Sequence, residues 1–167
     1  MVLYHGSNVE VRQPQILERL RALDFGAGFY TTSSREQAAK WARAVTKRRQ
    51  SGAPCISVFF LDEAKMEQIA VLKFSSPSDD WLDFVVANRK GLPLLNSYDL
   101  VIGPVANDTT LPVIDNYMDG KYTKEEAVVR LLPQKLTNQY AFLTAKALSC
   151  WNSKNARSYH DAGCTNH

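Results

Sequence analysis

Cysteine is scarce in this chain. Cys55, Cys150 and Cys164 are odd in number and widely scattered, which argues against the dense disulfide framework of a small secreted scaffold and favours a reducing compartment. No run approaches the ~18 consecutive apolar residues of a membrane-spanning helix. The N-terminus lacks a charged segment followed by an apolar run, so no cleaved secretion signal is expected. The expected location is cytoplasmic, with no membrane partner. An excess of one charge is also missing: 20 Lys and Arg against 17 Asp and Glu leave +3, too little to require a nucleic-acid partner. The basic run Lys47-Arg48-Arg49, with Arg43 one turn earlier, is accounted for at this level by a favourable charge–dipole arrangement at a helix C-terminus. Repeats, low-complexity segments and linkers are absent. A single domain over residues 1–148 is predicted, followed by a polar, flexible tail over 149–167.

Several chemical signatures are missing too. There is no Walker loop, His-Glu-x-x-His or Gly-x-Ser-x-Gly. Gly26-x-Gly28 lacks the third glycine of a dinucleotide-binding fingerprint, since Thr31 holds that place. Asp24-Phe25-Gly26 spells a kinase magnesium triplet, but only 23 residues precede it, too few for the upstream parts. Cys150, His160, Cys164 and His167 match no compact zinc spacing, so no metal is expected.

What the sequence does contain is concentrated in residues 24–45. Gly26 and Gly28 suit a backbone that needs positive φ or a close approach, and Phe29, Tyr30, Thr31 and Thr32 favour a strand. Ser33 with Glu36 reads as a capping box, with Ser34 and Gln37 the alternative register. Ala38, Trp41, Ala42 and Val45 then recur at the spacing of one buried helical stripe.

Around this stretch the elements alternate. A strand is expected at Val2–His5, then a short helix or ordered loop carrying Ile16, Leu17, Leu20 and Leu23. Cys55–Leu61 reads as a strand buried on both faces. Ile69–Phe74, Tyr98–Ile102 and Leu136–Leu143 are further strands. Ser78 opens a helix with Trp81 on its core stripe, residues 112–118 form another, and Thr123 with Glu126 caps a third that stops at Pro133. In the last strand, alternation puts Tyr140 and Phe142 on one face and Gln139 with Ala141 on the other, so Gln139 is expected to point to a surface or cleft. Strands mixed with short helices and few clean βαβ units predict an α+β fold with a split, mostly antiparallel sheet and peripheral helices.

Three separated pieces carry a resemblance. Tyr4-His5-Gly6-Ser7, Gly28-Phe29-Tyr30-Thr31-Thr32 before an alanine-rich helix, and Asn138-Gln139-Tyr140-x-Phe142 resemble ADP-ribosyltransferases of the diphtheria-toxin and poly(ADP-ribose) polymerase type. Asp24-Phe25-Gly26-x-Gly28 and Gly103-Pro104-Val105-Ala106-Asn107-Asp108 extend the likeness to small bacterial proteins of that fold, over residues 2 to about 148.

The resemblance implies a catalytic set of His5, Tyr30 and Gln139. It also implies that NAD, as substrate, is held by Gly6, Ser7, Asp24, Gly28 and Phe29. Tyr30 would stack on nicotinamide, His5 would bond a ribose hydroxyl, and the Gly6 main chain would grip the carboxamide. The family's third member is a glutamate. Gln139 can accept a hydrogen bond but brings no charge, which implies mono- rather than poly-ADP-ribosylation, with Asp108 a possible substitute carboxylate. The implied partners are a protein or nucleic-acid acceptor and an antitoxin, in a toxin or toxin–antitoxin setting. The alternatives are NAD glycohydrolysis, with water as acceptor, or a catalytically degenerate NAD-binding or interaction module. RNA 2′-phosphotransferases share the fold but use an arginine-rich set where Tyr30 stands.

Overall fold

The computed structural model describes residues 1–16, 23–94, 96–107 and 109–152, and the backbone of 157–160. The chain runs β1 (Val2–Ser7), β2 (Phe29–Thr32), α1 (Arg35–Arg49), β3 (Cys55–Phe60), α2 (Glu63–Met66), β4 (Val71–Lys73), α3 (Asp79–Arg89), β5 (Leu100–Pro104), α4 (Leu111–Met118), α5 (Lys124–Leu131), β6 (Asn138–Phe142), α6 (Ala145–Leu148) and β7 (Arg157–His160). The fold is α+β, and the strands form one sheet in the order β4-β5-β6-β2-β1-β3-β7. Five of the six neighbouring pairs are antiparallel. The exception, β4 with β5, is parallel, and α3 supplies the crossover that a parallel pair requires.

Strand alternation sorts the core into two faces. Phe29, Phe142 and Leu100 stand in register across β2, β6 and β5, and they join Leu3, Phe59 and Trp151 in one cluster. Their neighbours Tyr30, Ala141 and Val101 are also in register and pack on the other face, under Phe25, Trp81, Leu82 and Ile114. On that second face α1 covers β1 and β3 through Ala38, Ala39, Ile56 and Tyr4, while α3, α4 and α5 cover the β5–β6 half.

Local signals placed the helices. Of the two registers expected at α1, the structure adopts the second: Ser34 is the N-cap and its Oγ accepts from the Gln37 amide at 3.1 Å. The buried stripe of α1 is Ala38, Ala39 and Ala42, with Trp41 and Val45 half-buried. At α5 both halves of the box form, Thr123 N donating to Glu126 Oε2 at 2.8 Å and Glu126 N to Thr123 Oγ1 at 3.2 Å. Trp81 is fully buried, its indole N–H donating to the Pro104 carbonyl at 3.1 Å.

Some expectations are corrected. β5 does not stop at Gly103-Pro104 but includes both residues, paired with Gln139 and Asn138. Over residues 8–16 the loop alternative holds, with no helix, while 17–22 of that segment lie outside the described residues. The domain does not end at 148. Cys150 and Trp151 are buried, the Trp151 ring lies 4.3 Å from that of Phe142, and Leu61 bridges to Trp151. Within the expected tail, Arg157–His160 forms β7 against β3. Cys55 and Cys150 are free, buried thiols, pushed up in pKa by that burial. Among the described residues no helix is long and apolar enough to cross a membrane.

One discontinuity positions the site. β1 meets β3 through six register pairs and β2 meets β6 through four. β1 meets β2 through a single pair, Tyr4 with Thr32. The sheet is therefore two well-zipped halves joined by a narrow seam.

Candidate functional site

His5 lies on β1 just past that single pair. Its Nδ1 bonds the Tyr30 carbonyl across the seam at 2.7 Å, so a side chain bridges the halves where ladder bonds run out. A carbonyl only accepts, so Nδ1 is the donor of this bond. The imidazole also stacks on Phe29, with ring centroids 4.3 Å apart and planes inclined by 26°. Phe29 is itself held edge-on by Phe59. The ring of His5 is therefore fixed in orientation.

Tyr30 is fixed from its other end. Its hydroxyl donates to the Gly26 carbonyl at 2.5 Å and accepts from the Phe25 amide at 3.0 Å. The turn it grips needs Gly26, whose φ of +94° an L side chain rarely adopts. Asp24, at the head of this loop, is clamped by Arg89, whose Nε and Nη2 both donate to Oδ1, at 2.9 and 2.7 Å. Both partners are largely buried, at 15% and 19% side-chain exposure. Asp24 thus anchors the loop and is already engaged by a cation. Arg89→Ala should cost about 2 kcal/mol in urea unfolding, the scale of losing charge-assisted bonds at a poorly hydrated site. Arg89→Lys should recover only part of it, because one ammonium replaces a fork of two donors.

Gln139 is paired with Thr32, and Ala141 with Tyr30. Gln139 and Tyr30 are therefore diagonal neighbours on one face, within reach for long side chains. Gln139 is 4% exposed, more buried than its expected place at a surface or open cleft. Its Nε2 makes a long 3.5 Å bond to the Pro104 carbonyl, the same carbonyl that Trp81 holds. That acceptor fixes the amide orientation and leaves Oε1 as the accepting end.

The structure therefore brings His5 and Tyr30 together at the seam, and Tyr30 and Gln139 together on the helix-covered face. It does not bring the three side chains into one cluster. The His5 ring stands on the side of Phe29, and the Tyr30 ring on the other. Among the expected binding residues, Phe29 is core and props His5. Ser7 is buried, its Oγ 3.4 Å from Asn8 Oδ1. Gly28 admits Phe142 O and the Leu143 side chain, each 2.7 Å from where a Cβ would sit. At Gly6 that point lies 1.9 Å from Ala38 O and 2.8 Å from Ala42 N, so the space a side chain would need is filled by the α1 main chain. Asp108, Cys164 and His167 lie outside the described residues, as does the side chain of His160.

Two adjoining hollows, of about 490 and 450 Å³, open elsewhere, between α3 and residues 92–98. Both are lined by Phe84, Leu94, Asn96 and Tyr98, and the first also by Phe25 and Gly26. Neither includes His5, Tyr30 or Gln139. The first backs onto the loop that the Tyr30 hydroxyl grips.

A family model described as "Protein of unknown function (DUF3990)" matches residues 1–152. The chain belongs to the DUF3990 family. That membership covers β1 to Trp151, hence the seam, the 24–30 loop and Gln139 together, and its description assigns no activity. No curated protein and no solved structure matches the chain. Sequence reasoning missed Arg89, Trp81 and Pro104 as supports of the site. Arg89 sits 65 residues from Asp24, and a lone arginine at a helix end signals only the dipole.

Proposed function

We propose that this DUF3990 chain binds NAD across the β1–β2 seam and transfers its ADP-ribose unit to a macromolecular acceptor, as a mono-ADP-ribosyltransferase with that fold. The observation that carries the reading is the 2.7 Å bond from His5 Nδ1 to the Tyr30 carbonyl. It locks the two residues most characteristic of the resemblance at the sheet's one weak junction. Gln139 stands diagonal to Tyr30 with an acceptor oxygen left over.

In this reading the Tyr30 ring supports nicotinamide, and its doubly bonded hydroxyl keeps the ring from swinging. His5, on the opposite face of the seam, bonds a hydroxyl of the adenosine ribose, and Gln139 Oε1 accepts from the 2′-hydroxyl of the nicotinamide ribose. The bond from ribose C1′ to the nicotinamide nitrogen breaks, and its electron pair neutralises the pyridinium. The acceptor's lone pair then forms the new bond to C1′, and the acceptor loses its proton. A neutral Gln139 orients the ribose but adds little electrostatic stabilisation to the cationic transition state, so turnover should be slow. A toxin or toxin–antitoxin role, with an antitoxin as partner, is the biological setting this reading suggests.

The test is purified protein with NAD labelled in its adenylate half, following nicotinamide release and label transfer to cell protein and nucleic acid. Transfer that is lost in His5→Ala is the expected result. Release without transfer would replace the reading with NAD glycohydrolysis. Thermal protection by NAD without turnover would leave a binding module; saturation at 100-fold above Kd gives about 2.7 kcal/mol of protection. No release and no protection would overturn the reading.

A further inference from the structure

β4 closes one end of the sheet: β5 pairs with it on one side, and no described strand pairs with it on the other. The ladder shows which main-chain groups are used. Phe74 N donates to Ile102 O at 2.8 Å, and Ala70 O accepts from Leu100 N at 3.2 Å, so the even-numbered residues face β5. The residues between them point their N–H and C=O groups the other way. Val71 and Lys73 therefore turn two donors and two acceptors to the free edge. Both residues are exposed, and among the described residues neither main chain is bonded beyond the ladder.

Beside that edge lies the hollow of about 450 Å³. Leu72 and Phe74 line it from the sheet, Asp80, Phe84 and Ala87 from α3, and Pro93 from the loop that follows. Asp80, Phe84 and Ala87 stand at i, i+4 and i+7, one face of the helix. Leu72 and Phe84 are only half-buried, so the hollow presents apolar surface next to unpaired main-chain groups. Asp83, also at its rim, is held by Lys124 at 2.8 Å. Asp80 is exposed and has no cationic partner among the described residues.

We infer that the β4 edge and this hollow form one groove for an extended peptide segment of a partner protein, which adds a strand to the sheet. Donors and acceptors alternating at strand spacing are complementary to another extended main chain, and side-chain pockets beside the edge supply the selectivity. A guest residue opposite Leu72 stands on the same face as Leu72. It therefore enters the hollow and must be apolar to match Leu72 and Phe84. The guest residue two positions on, opposite Phe74, shares that face and lies toward the first turn of α3. The unpaired carboxylate of Asp80 selects Lys or Arg there. A second copy is the poorer guest, because a three-residue edge carrying Lys73 is of the short, charged kind that resists zipping onto another sheet. The inference is independent of the NAD reading, since it needs neither NAD nor turnover and the hollow includes none of His5, Tyr30 and Gln139.

The experiment pans a displayed library of random nonapeptides on the full chain without NAD, then measures the enriched sequences as synthetic peptides. An apolar residue with Lys or Arg two positions away should be enriched, and Asp80→Asn should erase the preference for the basic residue. Bound peptide should slow hydrogen exchange at the Val71 and Lys73 amides about tenfold or more. Lys73→Pro deletes an edge donor and leaves the ladder to β5 intact, so it should weaken binding about tenfold or more. Lys73→Ala keeps the N–H and should weaken it less than about threefold, the scale of an exposed charge contact. Ala87→Arg keeps a good helix former but puts a charge into the hollow, and should also cost about tenfold. A parental circular dichroism spectrum and Tm establish that each variant is folded. Should Lys73→Pro fail to fold, Ala87→Arg and the exchange measurement decide. The inference is overturned by a library with no enrichment, by peptides that bind the folded Lys73→Pro or Ala87→Arg variant as they bind the parent, or by bound peptide that leaves both edge amides unprotected. A concentration-dependent dimer that protects the same amides would overturn it as well.

Discussion

Gly6→Ala should unfold the domain or leave it barely stable, at a cost of about 4 kcal/mol or more. The added Cβ would stand 1.9 Å from Ala38 O and 2.8 Å from Ala42 N. Both are main-chain atoms of α1, so no rotamer change relieves the clash. The helix would have to lift from β1, and the packing of Ala38, Ala39 and Ile56 would go with it. Against a total stability of roughly 5–15 kcal/mol, that is a large fraction. Gly91→Ala is the control: its φ is +66° but nothing lies within 4 Å, so about 1 kcal/mol is expected. Equilibrium urea unfolding of the two variants checks the contrast, and a Gly6→Ala protein as stable as the parent would refute the packing described. The result also bears on function. Close helix packing alone accounts for a glycine at position 6, so any grip on a ligand there comes from main-chain groups at the seam.

Gln139→Glu should move stability and activity in opposite directions. A carboxylate at a 4% exposed position, facing the Pro104 carbonyl that now accepts from Nε2, loses a donor and gains an electrostatic repulsion. Burial and that carbonyl both favour the protonated acid, so its folded pKa lies above the unfolded value near ~4.3. A raised acid pKa keeps its full stability below the unfolded pKa and loses it as pH rises. The variant should therefore match the parent near pH 4 and fall about 2 kcal/mol or more behind it at pH 7.5. Chemistry points the other way. An ionised carboxylate ~4 Å from a developing ribose cation contributes up to about 4 kcal/mol at an effective dielectric of 20, which is up to about a thousandfold in rate. Nicotinamide release should rise over the parent, and the gain should grow with pH as the acid ionises. Unchanged release in a folded variant would place Gln139 away from the reacting carbon.

Sequence was most legible where structure is local. Thr123 and Glu126 are three residues apart and form both bonds of their box, and the alternation from Gln139 to Phe142 assigned two faces that the structure reproduces. The same rules named two registers for the start of α1, and side-chain geometry at Ser34 selected between them. α2 and α6 are four residues each, too short to show a period, although Asp62 and Thr144 cap them and offered a signal. β7 is a short polar edge strand with no apolar alternation to announce it. Long-range pairings were illegible for a different reason. The Arg89–Asp24 clamp, the shared Pro104 carbonyl and the placement of α1 against Gly6 each join segments whose own sequences are satisfied by simpler roles. His5, Tyr30 and Gln139 were singled out by resemblance. Their arrangement, with the His5 ring on the Phe29 side of the sheet and the Tyr30 ring on the other, followed only from register.

The central claim is that the seam between β1 and β2 receives NAD, and the most direct measurement is an NMR titration of isotope-labelled protein with NAD. Saturable shifts should concentrate at the His5 imidazole, the Gly6 and Tyr30 amides and the Gln139 side-chain amide, and should vanish in His5→Ala. Shifts confined to the hollow around Phe84, Asn96 and Tyr98, or no saturable shift at all, would contradict the account.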